Sequence, residues 1–326
     1  MPFSFLVKAL QLIEVTEGKN SRTVIVEILT NVFRSALVNY PDEVACILYF
    51  FIVKLAPDFK AMETGVGHEM SVKAIAKACG KTPKEIRELY KEEGDLGAVV
   101  QKGKSTQGTL GGFFKKANAS TQKKQLTFNH VFSEFRRIAQ TSGNNSASVK
   151  ESIIVKLLQD ASNDEAKYIV RFLQKTLKTG AAEKTVLIAL ARAIVYTPPN
   201  KPGVVNQKKK MGEEEFFKKC SEVEVSIKQA ICEQPDYDEL VQQLILVGDQ
   251  HEKIKDSCHI RVGIPVKPML AKPTKGVNVV LQRFEGIKFT CEYKYDGFRG
   301  QIHYNRNNAE SGNDCHIYSR NLENMS

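Results

Sequence analysis

The sequence predicts a mainly α-helical N-terminal domain followed by the truncated start of an α+β domain. Three observations predict this fold class. Capped, amphipathic segments follow one another over residues 1–255, and a proline-rich stretch at residues 264–276 must be extended. Apolar and polar residues then alternate with a period of two from residue 289. The predicted domains are therefore residues 1–255 and residues 256–326.

The first clear helix signal lies at residues 82–94. Thr82 is the predicted N-cap, with Pro83 at the first helical position and Glu85 completing a capping box. Gly94 supplies the left-handed residue that ends many helices. Each of these residues satisfies or replaces a backbone group that a helix end leaves unpaired, so the pattern predicts both ends of one helix.

Further helices follow towards the end of the predicted helical domain. One opens at Ser162 with acids in its first turn and is predicted to end in Lys178 and Gly180. The next, more apolar helix is halted by Pro198 and Pro199. Two polar, basic stretches between helices are predicted to be solvated loops, namely residues 103–125 and 198–212.

The C-terminal region reads as a short helix followed by strands. Residues 277–286 fit one short helix, and alternation at residues 289–294 predicts a first strand. Asp296 and Gly297 then form a turn, a second strand begins near Gly300, and alternation resumes at residues 315–321. Two or three strands alone bury little surface, so this region is predicted to be poorly stable by itself.

The composition limits the function classes that fit. The net charge of +10 is compatible with a polyanionic partner without proving one. Seven scattered cysteines without CxxC spacing argue against a disulfide framework or a zinc site. The apolar stretches are too short to span a bilayer, so no membrane partner is expected.

A charged cluster within the alternating region carries the chemistry. Lys294 lies between two tyrosines and is followed by Asp296, Gly297 and Arg299. A lysine near another cation and partly desolvated favours the neutral amine, which is a nucleophile. Glu292, two residues before the lysine, could accept a hydrogen bond from a base amine. Spacing alone favours the alternative, an exposed β-hairpin with a charged face.

The string Lys294-Tyr295-Asp296-Gly297-Phe298-Arg299 matches the KxDGxR signature of covalent nucleotidyltransferases, and its surroundings resemble eukaryotic type I ATP-dependent DNA ligases. The helical region resembles the DNA-binding domain of the same family, for example in "EAKYIVRFLQKTLKTGAAEKTVLIAL". The resemblance implies that Lys294 attacks ATP and carries AMP, with Mg²⁺ neutralising phosphate charge. It also implies that Glu292, Arg299 and Arg320 bind the nucleotide.

The resemblance implies that the helical domain holds nicked double-stranded DNA without reading its sequence. The residues it assigns to DNA binding are Arg22, Lys178, Thr179, Gly180, Ala181 and Ala182, with Lys102, Lys104 and Ser105 as further candidates. The family usually has arginine where this chain has Lys178, so a phosphate contact would survive but a bidentate one would not. The alternative for Gly180 is a plain helix C-cap.

The resemblance also sets expectations about the whole protein. Later acids, a lysine pair and an OB-fold domain of the family are absent from this sequence, so catalysis is expected to be incomplete in this chain. The open alternative is a non-catalytic, sequence-independent duplex-DNA-binding module. The family further implies a nuclear monomer. A sliding-clamp contact is compatible with the family, but no motif for one is visible in the sequence.

Overall fold

The structure, a computed structural model, describes residues 1–111, 125–269, 273–293, 295–305 and 315–326. Its helices, in chain order, are α1 (Phe3–Glu14), α2 (Ser21–Asn39), α3 (Val44–Phe51), α4 (His68–Cys79), α5 (Pro83–Glu93), α6 (Leu96–Gly111), α7 (Phe128–Gln140), α8 (Ser146–Asp160), α9 (Asn163–Leu173), α10 (Glu183–Tyr196), α11 (Glu213–Glu233), α12 (Tyr237–Val247), α13 (His251–Ser257) and α14 (Val277–Arg283). The strands are β1 (Gln301–Tyr304) and β2 (Cys315–Tyr318). The predicted fold class is confirmed.

One apolar core holds the first thirteen helices together. Its buried side chains run from Met1 to Cys258, and α10 packs between α2 and α11 while α6 packs on α9. Phe172 lies at its centre, with its ring stacked between Phe50 at 5.1 Å and Phe135 at 4.5 Å. Aromatic rings bury large apolar areas, so this stack fixes α9 against α3 and α7. The proposed division at residue 255 stays a prediction.

The predicted caps are largely confirmed. Thr82 and Glu85 form the capping box of α5, and Gly94 follows this helix with φ of 66°. Ser162 forms the same kind of box at the start of α9. The predicted end of α9 was wrong, because the helix stops at Leu173 and the chain turns at Lys175, which has φ of 54°.

The turn after α9 has a local physical cause. The amide of Lys175 donates to Phe172 O at 2.9 Å, and the amide of Thr176 donates to Arg171 O at 2.8 Å. These two bonds are the Schellman pattern, which satisfies the last helical carbonyls and requires one left-handed residue. Here Lys175 occupies the left-handed position that glycine usually takes, so no residue type in the sequence marks the turn.

The predicted loops fare differently. The loop predicted from residue 103 was wrong at its start, because α6 continues to Gly111, and residues 112–124 lie outside the described residues. Residues 198–212 form a loop that contains one 3₁₀ turn at Gln207–Lys210. Among the described residues, no helix combines the length and apolarity needed to cross a membrane.

The C-terminal region contains α14 and a two-stranded antiparallel sheet. Gln301 pairs with Tyr318, and Tyr304 pairs with Cys315. The predicted second and third strands are therefore confirmed, but the first was wrong, since residues 289–293 form no strand. A strand needs a neighbour for its amides and carbonyls, and the described sheet gives β1 a partner on one side only.

A short stretch without helix or strand, residues 263–267, connects the two regions, and we call it the linker segment. Its last residue, Lys267, donates its amide to Cys232 O at 2.9 Å, which attaches the segment to α11. Val266 exchanges two hydrogen bonds with the side chain of Gln301 in β1, at 3.0 and 2.6 Å. The linker segment therefore bonds to the helical part on one side and to the small sheet on the other.

Candidate nucleic-acid interface

Two parallel helices begin at one end of the helical part. Thr30 of α2 donates to the carbonyl of Ala189 in α10, and Arg34 of α2 donates to Thr197 just after α10. Both contacts advance in the same direction along the two helices, so α2 and α10 run parallel and their N-termini lie together. A groove of about 570 Å³ lies at this end, between α1, the loop of residues 174–182 and the two helix starts. We call it the α2/α10 groove.

Both helix starts leave backbone donors without a side-chain cap. Asn20, before α2, makes no capping hydrogen bond, and Ala182, before α10, has no polar side chain to make one. Unpaired amides and the helix dipole make such starts partly positive and attractive to anions. Arg22 and Lys184 line the groove and are exposed. The groove therefore presents four positive features to one region of solvent.

The loop of residues 174–182 forms one wall of the groove. Its backbone is left-handed at Lys175, Lys178 and Gly180, with φ of 54°, 55° and 60°. Thr179 is buried, and its hydroxyl accepts a hydrogen bond from the amide of Ala181 at 3.2 Å. Gly180 is exposed, and a Cβ placed on it would meet nothing within 4 Å. Turning Thr179 inward leaves the backbone of Gly180 facing open space at the groove.

The alternative interpretation of Gly180 as the C-cap of α9 was wrong. The helix ends at Leu173, and the left-handed residue that closes it is Lys175. Gly180 instead belongs to the approach to α10. Arg22 and residues 178–180 and 182, which were assigned separately to DNA binding, are brought together around one groove. Their role in DNA binding stays a prediction.

A buried charge network holds the loop wall in place. Arg171 of α9 is almost fully buried and donates to Asp95 Oδ2 at 2.9 Å from Nε and at 2.6 Å from Nη2. Lys178 reaches the same oxygen at 3.0 Å while half of its side chain remains exposed. Burial would raise the pKa of the Asp95 carboxyl, but the bonds from Arg171 and Lys178 outweigh it and hold that pKa at about 2.

The acid at the end of α1 is neutralised in the same way. Glu14 accepts hydrogen bonds from Arg171 at 3.0 Å, Lys167 at 2.9 Å and the Tyr168 hydroxyl at 2.7 Å. Burial acts to raise the pKa of Glu14, yet these three bonds lower it to about 2. Glu14 lines the groove, so this pairing offsets a negative charge that would otherwise repel an anion there.

A glycine lets the two halves of this network meet. Asp95 Oδ1 accepts the amide of Gly97 at 2.8 Å, which caps the start of α6. A Cβ on Gly97 would lie 2.8 Å from the carbonyl oxygen of Lys167 and 2.8 Å from Cγ of Arg171. Residue 97 must therefore lack a side chain for α6 to approach α9 closely enough for the Asp95–Arg171 pair to form.

The two further lysine candidates for DNA binding, Lys102 and Lys104, make contacts within the helical part instead. Lys104 donates to the carbonyl of Ala161 at 2.6 Å and to that of Leu158, so its amine satisfies the end of α8. Lys102 pairs with Glu93, and Ser105 lies within α6. Neither lysine lines the α2/α10 groove. Their interpretation as DNA contacts therefore receives no support from the structure.

The predicted nucleotide-binding residues occupy the C-terminal region. Lys294 lies outside the described residues. Glu292, Arg299 and Arg320 are exposed, and no hydrogen bond or ion pair among the described residues joins any two of them. No group of three histidine, cysteine or acidic side chains in the described parts of the chain could hold a metal ion. The assigned nucleotide roles stay predictions.

The sequence interpretation missed the residues that build the groove wall. Glu14, Asp95 and Arg171 come from three distant helices, and no local pattern links them. One signal was available, because Asp95 and Gly97 directly follow the predicted helix stop at Gly94 and fit a new helix start. Lys184 could also have been found, since it lies two residues after the assigned Ala182.

The chain combines a helical body and a basic groove with a Lys-Tyr-Asp-Gly-Phe-Arg string that resembles the signature of covalent nucleotidyltransferases. Comparison with known families narrows this class. A family model described as DNA ligase N terminus matches residues 2–191, and one described as ATP dependent DNA ligase domain matches residues 268–326. The chain belongs to the ATP-dependent DNA ligase family.

Individual relatives agree with this assignment. The chain is 36% identical to DNA ligase 1 of Dictyostelium discoideum over 326 residues, which cover 99% of this chain and 26% of that protein. It is 36% identical to DNA ligase 1 of Schizosaccharomyces pombe, over 99% of this chain and 38% of the relative. The chain is also 36% identical to DNA ligase 1 of Saccharomyces cerevisiae, over 95% of this chain and 38% of that relative. The resemblance to eukaryotic type I ligases is confirmed, and the chain spans well under half the length of these relatives.

Proposed function

We propose that this chain holds nicked duplex DNA in the α2/α10 groove as part of an ATP-dependent DNA ligase. The ligase would act in DNA replication, repair and recombination, in the nucleus. The observation that carries the proposal is the convergence of two uncapped, parallel helix starts with Arg22, Lys184 and the backbone of Gly180 in one groove. Amides and cations gathered in this way fit the phosphates of a nucleic-acid backbone.

The groove would bind DNA without regard to sequence. Its donors are backbone amides and long basic side chains, which suit phosphates better than base edges. The paired acids Glu14 and Asp95 add little repulsion, because Arg171, Lys167 and Lys178 together compensate them. A net charge of +10 adds long-range attraction to a polyanion. Affinity should therefore fall steeply as salt rises, because phosphate contacts release counterions.

The sealing chemistry would start at Lys294. Its amine would attack the α-phosphate of ATP, pyrophosphate would leave, and AMP would be held as a phosphoramidate. AMP would then pass to the 5′-phosphate at the nick, and the 3′-hydroxyl would displace it. A divalent cation belongs to this family's expected chemistry. The described residues provide no cluster of acidic side chains that would hold it.

A second candidate function is a duplex-DNA-binding module without catalysis. The exposed, unpaired state of Glu292, Arg299 and Arg320 among the described residues favours it over an assembled nucleotide site. Incubation with labelled ATP and magnesium separates the two candidates. A covalent AMP adduct that disappears in Lys294→Ala supports the ligase, whereas DNA binding without any adduct supports the module.

DNA binding itself is tested with a nicked duplex and two matched charge reversals. Arg22 and Lys84 are both exposed, and each is the second residue of its helix, α2 and α5 respectively. Arg22→Glu and Lys84→Glu therefore make the same change of charge at equivalent helix positions. Arg22→Glu should weaken binding about tenfold, as expected for losing one hydrogen bond to a charged group. It should also lower the salt slope by about one. Equal losses in both variants would contradict the assignment of the groove.

A further inference from the structure

The start of α10 contains an acid that opposes its proposed role. Glu183 is the first residue of the helix and directly follows Ala182 in the groove wall. A carboxylate in the first turn stabilises an isolated helix, because it neutralises the positive helix end. For the same reason it competes with a phosphate for that end. The groove therefore needs Glu183 to be compensated from elsewhere.

The compensation comes from the linker segment. Lys267 Nζ lies 2.5 Å from Glu183 Oε1, and the two side chains are 27% and 33% exposed. Burial would raise the pKa of Glu183, but the nearby charge of Lys267 lowers it, so the acid is ionised and paired. The residues are 84 positions apart in the chain, so only a docked linker segment brings them together.

Other contacts hold this arrangement in place. The amide of Lys267 donates to Cys232 O, and Arg261 pairs with Glu239 of α12. These contacts attach the last residue of the linker segment, and the chain just before the segment, to the helical part. Because Val266 bonds to Gln301 in β1, the same segment also reaches the sheet that precedes Arg320.

We propose that Lys267 is a positioning residue that couples the DNA grip to docking of the linker segment, by neutralising Glu183 at the start of α10. This inference rests on the proposed function. When the segment is docked, the helix start is free of net negative charge and attracts a phosphate. When it detaches, the carboxylate loses the charge of Lys267 and weakens the same site. Coupling is reciprocal, so bound DNA holds the linker segment, and with it the small sheet, against the helices.

The mechanism makes Lys267 matter only through Glu183. In the 326-residue chain, Lys267→Gln should weaken binding of a nicked duplex about fivefold, the lower end of usual coupling between linked sites. Lys267→Arg keeps the charge and should retain most of the affinity. Glu183→Gln removes the acid and should bind no more weakly than the native chain. The double variant Glu183→Gln/Lys267→Gln should match Glu183→Gln alone.

Three outcomes would overturn the inference. The first is that Lys267→Gln loses no affinity for the nicked duplex. The second is that Lys267→Gln costs as much affinity when Glu183→Gln is also present, which would make Lys267 a direct DNA contact. The third is that Lys267→Arg loses as much affinity as Lys267→Gln. Hydrogen exchange of residues 260–267 gives a second readout. A nicked duplex should increase protection there in the native chain but not in Glu183→Gln. If the native chain itself binds no nicked duplex, the proposed function fails instead, so the two failures are distinguishable.

Discussion

Replacing Asp95 by asparagine tests the charge network behind the groove. The substitution keeps the shape of the side chain and an oxygen for the Gly97 amide, but it removes the charge that faces Arg171 and Lys178. Asp95 is 8% exposed, so solvent screens these interactions only weakly. Asp95→Asn should therefore destabilise the helical part without removing the α6 cap.

The size of the effect follows from the pKa of this carboxyl. Its pKa falls from 3.8 to about 2 on folding. A depressed folded-state pKa means that the stabilisation is present above the unfolded value and is lost as the pH falls through the folded value. Asp95 should thus contribute about 2 kcal/mol at pH 7 and about half of that at pH 3.

Urea unfolding of the native chain and of Asp95→Asn, at pH values from 7 to 3, measures this contribution. The difference in unfolding free energy should be about 2 kcal/mol or more at pH 7, because the new amide also faces the donors of Arg171. The difference in unfolding free energy between the two proteins should become smaller as the pH falls to 3. Glu63→Gln is a suitable control, since Glu63 pairs with Lys175 at an exposed site where little change is expected. A difference below about 1 kcal/mol at pH 7, or one independent of pH, would refute the reasoning.

Three further substitutions test single features by urea unfolding and nicked-duplex binding. Gly97→Ala forces a Cβ against the Lys167 carbonyl and should cost about 3 kcal/mol together with much of the DNA affinity, whereas a cost below about 1 kcal/mol would deny the close approach. Gly180→Ala meets no neighbour but sits at φ of 60°, so it should cost about 1 kcal/mol and weaken binding; unchanged affinity would count against this wall of the groove. Ser162→Ala removes the N-cap of α9 and should cost about 1 kcal/mol with little effect on binding, and a neutral result would contradict the capping box.

Local signals explain what could be predicted of the fold. Thr82 and Ser162 specify helix starts through contacts three residues away, and Gly94 specifies a helix end by its own backbone freedom. Such signals can be recognised in the sequence without knowing how the rest of the chain folds. The end of α9 could not be found in this way, because a lysine occupies the left-handed position that glycine normally marks.

Long-range features account for most of what the sequence did not reveal. The strand expected at residues 289–294 has the right alternation, but alternation cannot supply a neighbouring strand. Arg22 and Gly180 were identified through family resemblance, whereas their meeting in one groove depends on the parallel packing of α2 and α10. The pairing of Asp95 with Arg171 joins α6 to α9, and no sequence pattern around either residue predicts this contact.

The parallel arrangement of α2 and α10 has a thermodynamic consequence for the unliganded protein. Each helix start carries roughly half a positive charge, and side by side these two ends repel one another. The fold retains this repulsion, so any anion that settles between the ends relieves it while binding. DNA bound at the proposed groove should therefore also stabilise the fold, and a hundredfold excess over its dissociation constant should add about 2.7 kcal/mol to the free energy of unfolding. The melting temperature of the protein should rise with the concentration of DNA.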